Sequence, residues 1–97
     1  MPAYVIARVS ITDPEQYRKY LEATPSIIEQ YGGKAIARAP VPVTLEGPEE
    51  KRRIVILQFP TVEKAKEFYN SPEYQEARRL RAGAAAGELI LLKGSAP

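Results

Sequence analysis

The chain has 97 residues, which is the length of one small domain. Hydrophobic residues make up 44% and charged residues 27%, so the composition is that of a globular protein and argues against disorder. A formal net charge of +2 is too small for a general polyanion binder. Because cysteine and histidine are both absent, disulfides, zinc–thiolate and zinc–histidine sites, and Ser-His-Asp or Cys-His catalysis are excluded.

The first elements in chain order are a strand and the start of a helix. Ala3–Ile11 reads AYVIARVSI, and its β-branched residues predict a strand. Asp13 is a typical helix cap, Pro14 suits the first helical position, and Gln16 stands where a capping-box partner would. A helix is therefore predicted to begin directly after the first strand.

The spacing of apolar residues carries this helix to a pair of glycines. Side chains from Tyr17 to Tyr31 recur every three or four residues, as on one helix face. We expect Pro25 to kink the helix, because proline removes one backbone hydrogen bond. Gly32-Gly33 should end it, since glycine readily adopts the left-handed conformation. Lys34–Glu46 then predicts a second extended segment.

The second half of the chain predicts a strand, a helix broken in two, and a last strand. Arg52–Phe59 reads RRIVILQF and is the clearest strand signal. Thr61 can cap a helix over Val62–Asn70, and Ser71 with the following proline can start another helix that runs to about Arg81. Glu88–Lys93 (ELILLK) predicts the last strand, which completes a β-α-β-β-α-β order.

This order predicts an α+β fold of the ferredoxin-like type. Two β-α-β units with right-handed crossovers give a four-stranded antiparallel sheet with the helices on one face. Pro40 and Pro42 are two residues apart, so both missing N–H groups lie on the same side of the chain. Proline is tolerated on unpaired sides of a sheet, and the second strand is therefore expected at an edge.

Both faces of this predicted sheet are apolar, where a solvated face would alternate with polar residues. One face carries Val5, Ala7, Val9, Ile11, Val55, Leu57 and Phe59, and the other carries Tyr4, Ile6, Ile54 and Ile56; in the last strand, Ile90 and Leu92 oppose Leu89 and Leu91. A monomer would expose a large apolar patch, so a second copy is expected to cover it in a two-fold dimer. The alternative is that these residues are half exposed or that a bulge shifts the register.

Period-two counting also places Arg8, Ser10 and Gln58 on that second face. Arg38 is expected nearby, although its face is ambiguous. Because burying an unpaired guanidinium is costly, these groups must find an ion pair, water or an anionic ligand. A pocket with tyrosines and an arginine would suit a small organic acid or an aromatic carbonyl compound. The alternative is that both arginines pair with Glu46, Glu88 or carboxylates of a second copy.

The chain resembles the "domain of unknown function 1330" family of small bacterial proteins, within the dimeric α/β-barrel, ferredoxin-like group. The residues that carry the resemblance are spread over nearly the whole chain: Ala3-Tyr4-Val5-Ile6, Thr12-Asp13-Pro14-Glu15, Tyr17, Tyr20, Tyr31-Gly32-Gly33, Ala37-Arg38, Leu45-Glu46-Gly47, the segment from Arg53 to Pro60, the segment from Phe68 to Tyr74, and Arg81. The resemblance implies a ferredoxin-like protomer and a dimer, but no particular reaction. Such sequences often have histidine in place of Tyr31, an acid in place of Gln58, and glycines after Arg38.

The residues assigned here to a ligand site are Arg38, Arg8, Gln58, Tyr20 and Tyr74. No metal and no cofactor are expected, and Glu46 is the only carboxylate nominated as a base. For Tyr20 and Tyr74, as for Arg78, Arg79 and Arg81, the alternative is structural: core packing for the tyrosines and a solvated helix end for the arginines.

The leading functional hypothesis is a small-ligand binder or a cofactor-free enzyme that works in a sheet–helix cleft. A non-catalytic structural or ligand-sensing module is the alternative, and it predicts salt-bridged arginines and no cavity larger than a water molecule. RNA binding is disfavoured, because RRIVILQF lacks the glycine–aromatic pattern of RNA-recognition domains.

We expect one domain over 1–97, with an ordered core at 1–94 and a tail at 95–97. The N-terminus has no basic region before its apolar run, so it reads as a strand and not as a signal peptide. No apolar stretch approaches the roughly 20 residues of a membrane span. A cytoplasmic protein without membrane or nucleic-acid partners is therefore expected.

Overall fold

The computed structural model describes residues 1–95 and contains four strands and three helices in the predicted order. These are β1 (Ala3–Ile11), α1 (Pro14–Gln30), β2 (Lys34–Ala39), β3 (Arg53–Phe59), α2 (Val62–Asn70), α3 (Pro72–Arg79) and β4 (Ala85–Lys93). The strands form one antiparallel sheet in the order β2-β3-β1-β4, so the β-α-β-β-α-β layout is confirmed. Of the predicted tail, residues 96 and 97 lie outside the described residues.

All three helices begin at the predicted capping residues. The Asp13 side chain accepts a hydrogen bond from the Gln16 N–H, Thr61 does the same for Lys64, and Ser71 for Tyr74. α1 continues through Pro25 to Gln30. Within residues 1–95, no helix is long and apolar enough to cross a membrane.

The chain turns sharply between α1 and β2, and two glycines make this turn possible. Gly32 has a φ of 79°, the left-handed conformation that glycine adopts without strain. At Gly33, a Cβ would lie 2.5 Å from the Phe59 ring, so only glycine allows this close approach. The turn therefore brings β2 directly against the end of β3.

Three strand boundaries differ from the sequence prediction, and β3 differs only in beginning one residue later, at Arg53. β2 ends at Ala39, so the extended segment predicted to reach Glu46 is too long. Pro40 follows at once and has no N–H to continue the ladder. β4 begins at Ala85, three residues before the predicted start, because Ala85 and Ala86 pair with the end of β1 despite their weak strand propensity. β2 is an edge strand, as predicted.

The core lies between the helices and one face of the sheet. Its largest fully buried side chains are Tyr74, Phe59 and Phe68. The ring centroids of Phe59 and Phe68 are 5.0 Å apart, and those of Phe68 and Tyr74 are 4.7 Å apart. This helix-covered face also carries Val5, Val9 and Leu57, whereas the opposite face, called the open face below, carries no helix.

Candidate functional site

The structure divides the five predicted ligand residues among three places. Arg8 and Gln58 lie on the open face, Tyr20 and Tyr74 lie in the core under the helices, and Arg38 lies at the β2 edge on the helix side. Because these places lie on opposite faces of the sheet and in the core, the five residues do not form one site among residues 1–95. The three places are therefore described separately.

The open face pairs its arginines with carboxylates. Arg8 Nη1 lies 3.8 Å from Glu88 Oε2 on the neighbouring strand. Arg52 forms two ion pairs, at 2.9 Å to Glu50 and at 3.3 Å to Glu88. Gln58 is opposite Tyr4 on the same face. Arg8 therefore follows the alternative in which the arginine forms an ion pair, and its partner is Glu88.

A β-bulge decides the position of Arg38. Ala35 pairs with Leu57 and Ala37 with Ile56, so Ile36 is an extra residue and the register shifts. Arg38 consequently pairs with Val55, on the helix-covered side. The expectation that Arg38 would be near Arg8 is therefore wrong, because one inserted residue reverses the face of every side chain that follows it.

On that side, α1 and the strands β2 and β3 enclose a cleft of about 450 Å³, called here the α1–β2–β3 cleft. One wall is apolar, and positively charged groups outnumber acids. Leu21, Thr24, Pro25, Ile28 and Glu29 of α1 line it, together with Lys34, Ala35 and Arg38 of β2 and Arg53, Val55 and Leu57 of β3.

Arg53 is the cleft residue that the sequence reasoning missed. Its Nε is buried and has no hydrogen-bond partner. None of the ion pairs among residues 1–95 includes Arg53 or Arg38. The signal was present, since Arg53 shares the parity of Val55 and Leu57 in the third strand.

Tyr20 and Tyr74 form a buried aromatic cluster. Their hydroxyl oxygens are 2.9 Å apart and share a hydrogen bond. Tyr17 packs on Tyr20 at 5.3 Å between ring centroids, and the Arg81 guanidinium lies 5.3 Å from the Tyr20 ring. Burial is the main reason that the pKa of Tyr20 is raised far above its ordinary value, and Tyr74 adds to the rise. The Tyr20 hydroxyl is therefore a neutral group, and its hydrogen bond with Tyr74 joins α1 to α3.

The remaining nominated groups lie apart from the cleft. Glu46 is exposed in the segment between β2 and β3. Arg79 pairs with Glu76 at 3.3 Å, as expected for a solvated helix end, whereas Arg81 is only 8% exposed and so departs from that expectation. Within residues 1–95, no group of three or more acidic, histidine or cysteine side chains could hold a metal ion.

The fold and the cleft place the chain among small α+β proteins of the ferredoxin-like class. Residues 2–95 match the family model described as "Domain of unknown function (DUF1330)", and the chain belongs to that family. No protein of curated function matches the sequence.

Three solved structures show what the chain is similar to. A protein of unknown function from Rhodopseudomonas palustris has 27% identity and a TM-score of 0.77, covering 99% of this chain and 84% of that one. SnoaB, a cofactor-independent oxygenase from Streptomyces nogalater, has 9% identity and a TM-score of 0.70, covering 99% and 95%. A dimeric ferredoxin-like protein of unknown function from Jannaschia sp. CCS1 has 12% identity and a TM-score of 0.69, covering 97% and 100%. At these identities the last two show the fold alone.

Proposed function

We propose that this protein binds a small organic acid in the α1–β2–β3 cleft. The observation that carries the proposal is the pair of arginines, Arg38 and Arg53, that line the cleft without a carboxylate partner. The Nε of Arg53 is buried without an acceptor among residues 1–95, which costs free energy, and an anionic ligand would supply that acceptor. Arg38 is exposed, so it would add charge-assisted hydrogen bonds to the same ligand without relieving a buried group. Arginine is also the side chain best suited to bind a carboxylate through two parallel hydrogen bonds.

The lining of the cleft indicates the rest of the ligand. Leu21, Ile28 and Val55 offer an apolar wall beside the two guanidinium groups. The volume of about 450 Å³ is in the range of small-molecule sites. No aromatic side chain lines the cleft, so stacking with an aromatic carbonyl compound has no support there. A carboxylic acid with a short aliphatic body fits best.

A second, smaller pocket of about 190 Å³ lies between α2 and β4 and has an apolar, partly aromatic lining that includes Phe68 and Tyr69. It is smaller than most small-molecule sites, and Lys66 is its only charged lining residue. We therefore favour the α1–β2–β3 cleft.

We further propose that the protein works as a homodimer in which the open faces of two copies meet. Ile6, Ile54 and Ile56 are half-buried on this face, and Ile90 and Leu92 of β4 are exposed. A patch of this kind is uncommon on a soluble monomer. The similar Jannaschia protein is described as dimeric, which supports the proposal.

Catalysis without a cofactor and a cytoplasmic location stay predictions from the sequence. SnoaB has the same fold, but fold analogy is a weak warrant for chemistry at 9% identity. A non-catalytic structural or ligand-sensing module is the alternative, and it predicts salt-bridged arginines and no sizeable cavity. The ion pair of Arg8 fits that alternative, whereas the unpaired Arg38 and Arg53 and the volume of the cleft favour a ligand-binding role. Binding is therefore the property to test first.

The test is calorimetric titration with aliphatic monocarboxylates of four to eight carbons, using the matching primary amides as neutral controls. We expect saturable binding of an acid and none of its amide. Arg38→Gln should weaken binding by about tenfold or more, because a charge-assisted hydrogen bond is lost. Arg8→Gln is the matched control, since it removes the same charge from the open face, and it should change binding less than about twofold.

Two outcomes would contradict the proposal. One is that no acid of the series binds the wild-type protein. The other is that Arg8→Gln weakens binding as much as Arg38→Gln, because the affinity would then reflect net charge and not the cleft. Circular dichroism of each variant shows whether the fold is retained.

A further inference from the structure

We propose that a second oxyanion site, separate from the α1–β2–β3 cleft, lies between the end of α3 and the start of β4 and binds a phosphate group through Arg78 and Arg81. The two side chains line a surface depression of about 600 Å³ that also includes Gln75 and Gly87. We call it the α3–β4 depression. None of the five residues first assigned to a ligand site lines it.

Arg81 is the residue that points to a ligand. Arg81 is only 8% exposed, and its Nε is buried without a hydrogen-bond partner among residues 1–95. No ion pair among residues 1–95 includes it. The contact with the Tyr20 ring offsets part of the desolvation of the charge, but it leaves Nε without an acceptor.

Gly87 is the reason that this guanidinium can lie against the sheet. Gly87 pairs with Val9 and therefore faces the helix-covered side. A Cβ at this position would lie 3.0 Å from Arg81 Nη1, which is closer than nearly all real Cβ contacts. The missing side chain thus leaves the space that the Arg81 guanidinium occupies beside the depression.

A helix C-terminus normally disfavours an anion, because its last carbonyls carry partial negative charge. Here the last three carbonyls of α3 accept hydrogen bonds, since the N–H groups of Leu80, Arg81 and Ala82 donate to Ala77 O at 2.9 Å, to Arg78 O at 3.2 Å and to Arg79 O at 3.1 Å. Just beyond the helix, the Gln16 side-chain amide donates to Leu80 O at 3.2 Å and to Ala82 O at 2.8 Å. The negative end of α3 is therefore partly neutralised from within the fold.

The charges around the depression favour a dianion. Its lining includes three arginines and no acidic residue. Arg79 is held by Glu76, while Arg78 makes only a long hydrogen bond of 3.4 Å to Gln75. Two guanidiniums, of Arg78 and Arg81, thus remain to bind the ligand. The other lining residues are alanines and a glycine, which offer no apolar wall for a large body. A phosphate group matches this charge and size better than a monocarboxylate does.

The test is titration of the full chain with inorganic phosphate at constant ionic strength, followed by ³¹P NMR and by calorimetry, with acetate as the monovalent comparison. We expect saturable phosphate binding that is tighter than acetate binding. Arg78→Gln should weaken it by about tenfold. Gly87→Ala should weaken it without changing the charge of the protein, because the added methyl group crowds the Arg81 guanidinium and shifts it by a few tenths of an ångström.

Two variants with the same charge loss serve as controls. Arg79→Gln removes a guanidinium that Glu76 already holds, and Arg38→Gln removes one from the cleft; each should change phosphate affinity less than about twofold. The proposal is overturned if phosphate does not bind, if Arg79→Gln weakens it as much as Arg78→Gln, or if Arg38→Gln abolishes it. The last result would place phosphate in the α1–β2–β3 cleft. The phosphate proposal can therefore fail while the organic-acid proposal stands, because the two proposals depend on different arginines.

Discussion

The two faces of the sheet differ in whether their arginines form ion pairs. On the open face, Arg8 and Arg52 both pair with Glu88. On the helix-covered side, neither Arg38 nor Arg53 belongs to any ion pair among residues 1–95. A second copy could therefore cover the open face without burying an unpaired charge, which would be costly. The helix side keeps two arginines outside these ion pairs, and these are the groups to which the proposed organic acid would bind.

The apolar side chains differ between the faces as well. Phe59, Phe68 and Tyr74 are almost fully buried by the helices. On the open face, Ile56, Ile6 and Ile90 form a row across three strands, yet Ile90 is 41% exposed. The first set stabilises one chain, and the second set is expected to stabilise the contact between two. Variants on each face test these two roles separately.

The largest effect is expected for Phe68→Ala on the helix-covered side. Phe68 packs between Phe59 and Tyr74, so its loss leaves a cavity that should lower the free energy of unfolding by about 3–5 kcal/mol. Chemical denaturation measures this. The matched control is Leu45→Ala, at a side chain that is 96% exposed, with an expected change within about 0.5 kcal/mol. Equal effects of the two variants would mean that the aromatic cluster is not the core.

The next effect is expected for Ile56→Glu at the centre of the isoleucine row. A carboxylate there would be buried without a partner when two open faces meet, so the dimer should dissociate or the protein become insoluble. Sedimentation equilibrium measures the association. Leu80→Glu introduces the same charge at an exposed leucine on the helix side and should leave the association unchanged. A soluble and unaltered dimer of the Ile56 variant would remove the open face from the interface.

The sequence predicts this division of faces well where simple alternation holds. Val5 and Val9 are buried and Tyr4 and Ile6 less so, as period-two counting requires. The helix starts were also predictable, because Asp13, Thr61 and Ser71 are residue types that cap helices through local hydrogen bonds. Such features depend on neighbours in sequence.

The candidate sites were less predictable, because they depend on contacts between distant segments. The sequence of β2, KAIARA, contains no signal for the bulge at Ile36, which moves Arg38 to the helix side. The role proposed for Arg81 depends on the absence of a side chain at Gly87, a residue of a different element. A charge run that ends a helix gives no sign that one of its members is buried.

A smaller effect is expected for Glu88→Gln, which tests the ion pairs of the open face. Glu88 is the shared partner of Arg8 and Arg52, so its loss would leave Arg8 without a carboxylate partner inside a dimer, while Arg52 would keep only its ion pair with Glu50. We expect the dimer dissociation constant to rise about tenfold or more. Glu76→Gln is the matched control, because it breaks a solvent-exposed pair with Arg79 and should have no measurable effect. If both variants behave alike, the open face stays in water.

The smallest effect is expected for Tyr20→Phe, and it depends on pH. Near neutral pH the variant loses the hydrogen bond to Tyr74, which should cost about 1 kcal/mol of unfolding free energy. Because burial raises the pKa of Tyr20, the unfolded chain releases this proton above about pH 10 while the folded chain keeps it. The stabilising contribution is therefore complete below that pH, and stability falls as pH rises by up to about 1.4 kcal/mol per pH unit for one such group.

Tyr20→Phe should make this alkaline decline shallower, and urea unfolding at pH 8 and above pH 10 measures the difference. The pKa of Tyr17 is also raised, mainly by burial, so Tyr17→Phe should remove a further part of the slope. Ionised Tyr17 would gain from the nearby charges of Arg53 and Arg81, which lower its pKa and make its share smaller than that of Tyr20. An unchanged slope in the Tyr20 variant would mean that the Tyr20 hydroxyl reaches water, and the helices would then not exclude water from this part of the core.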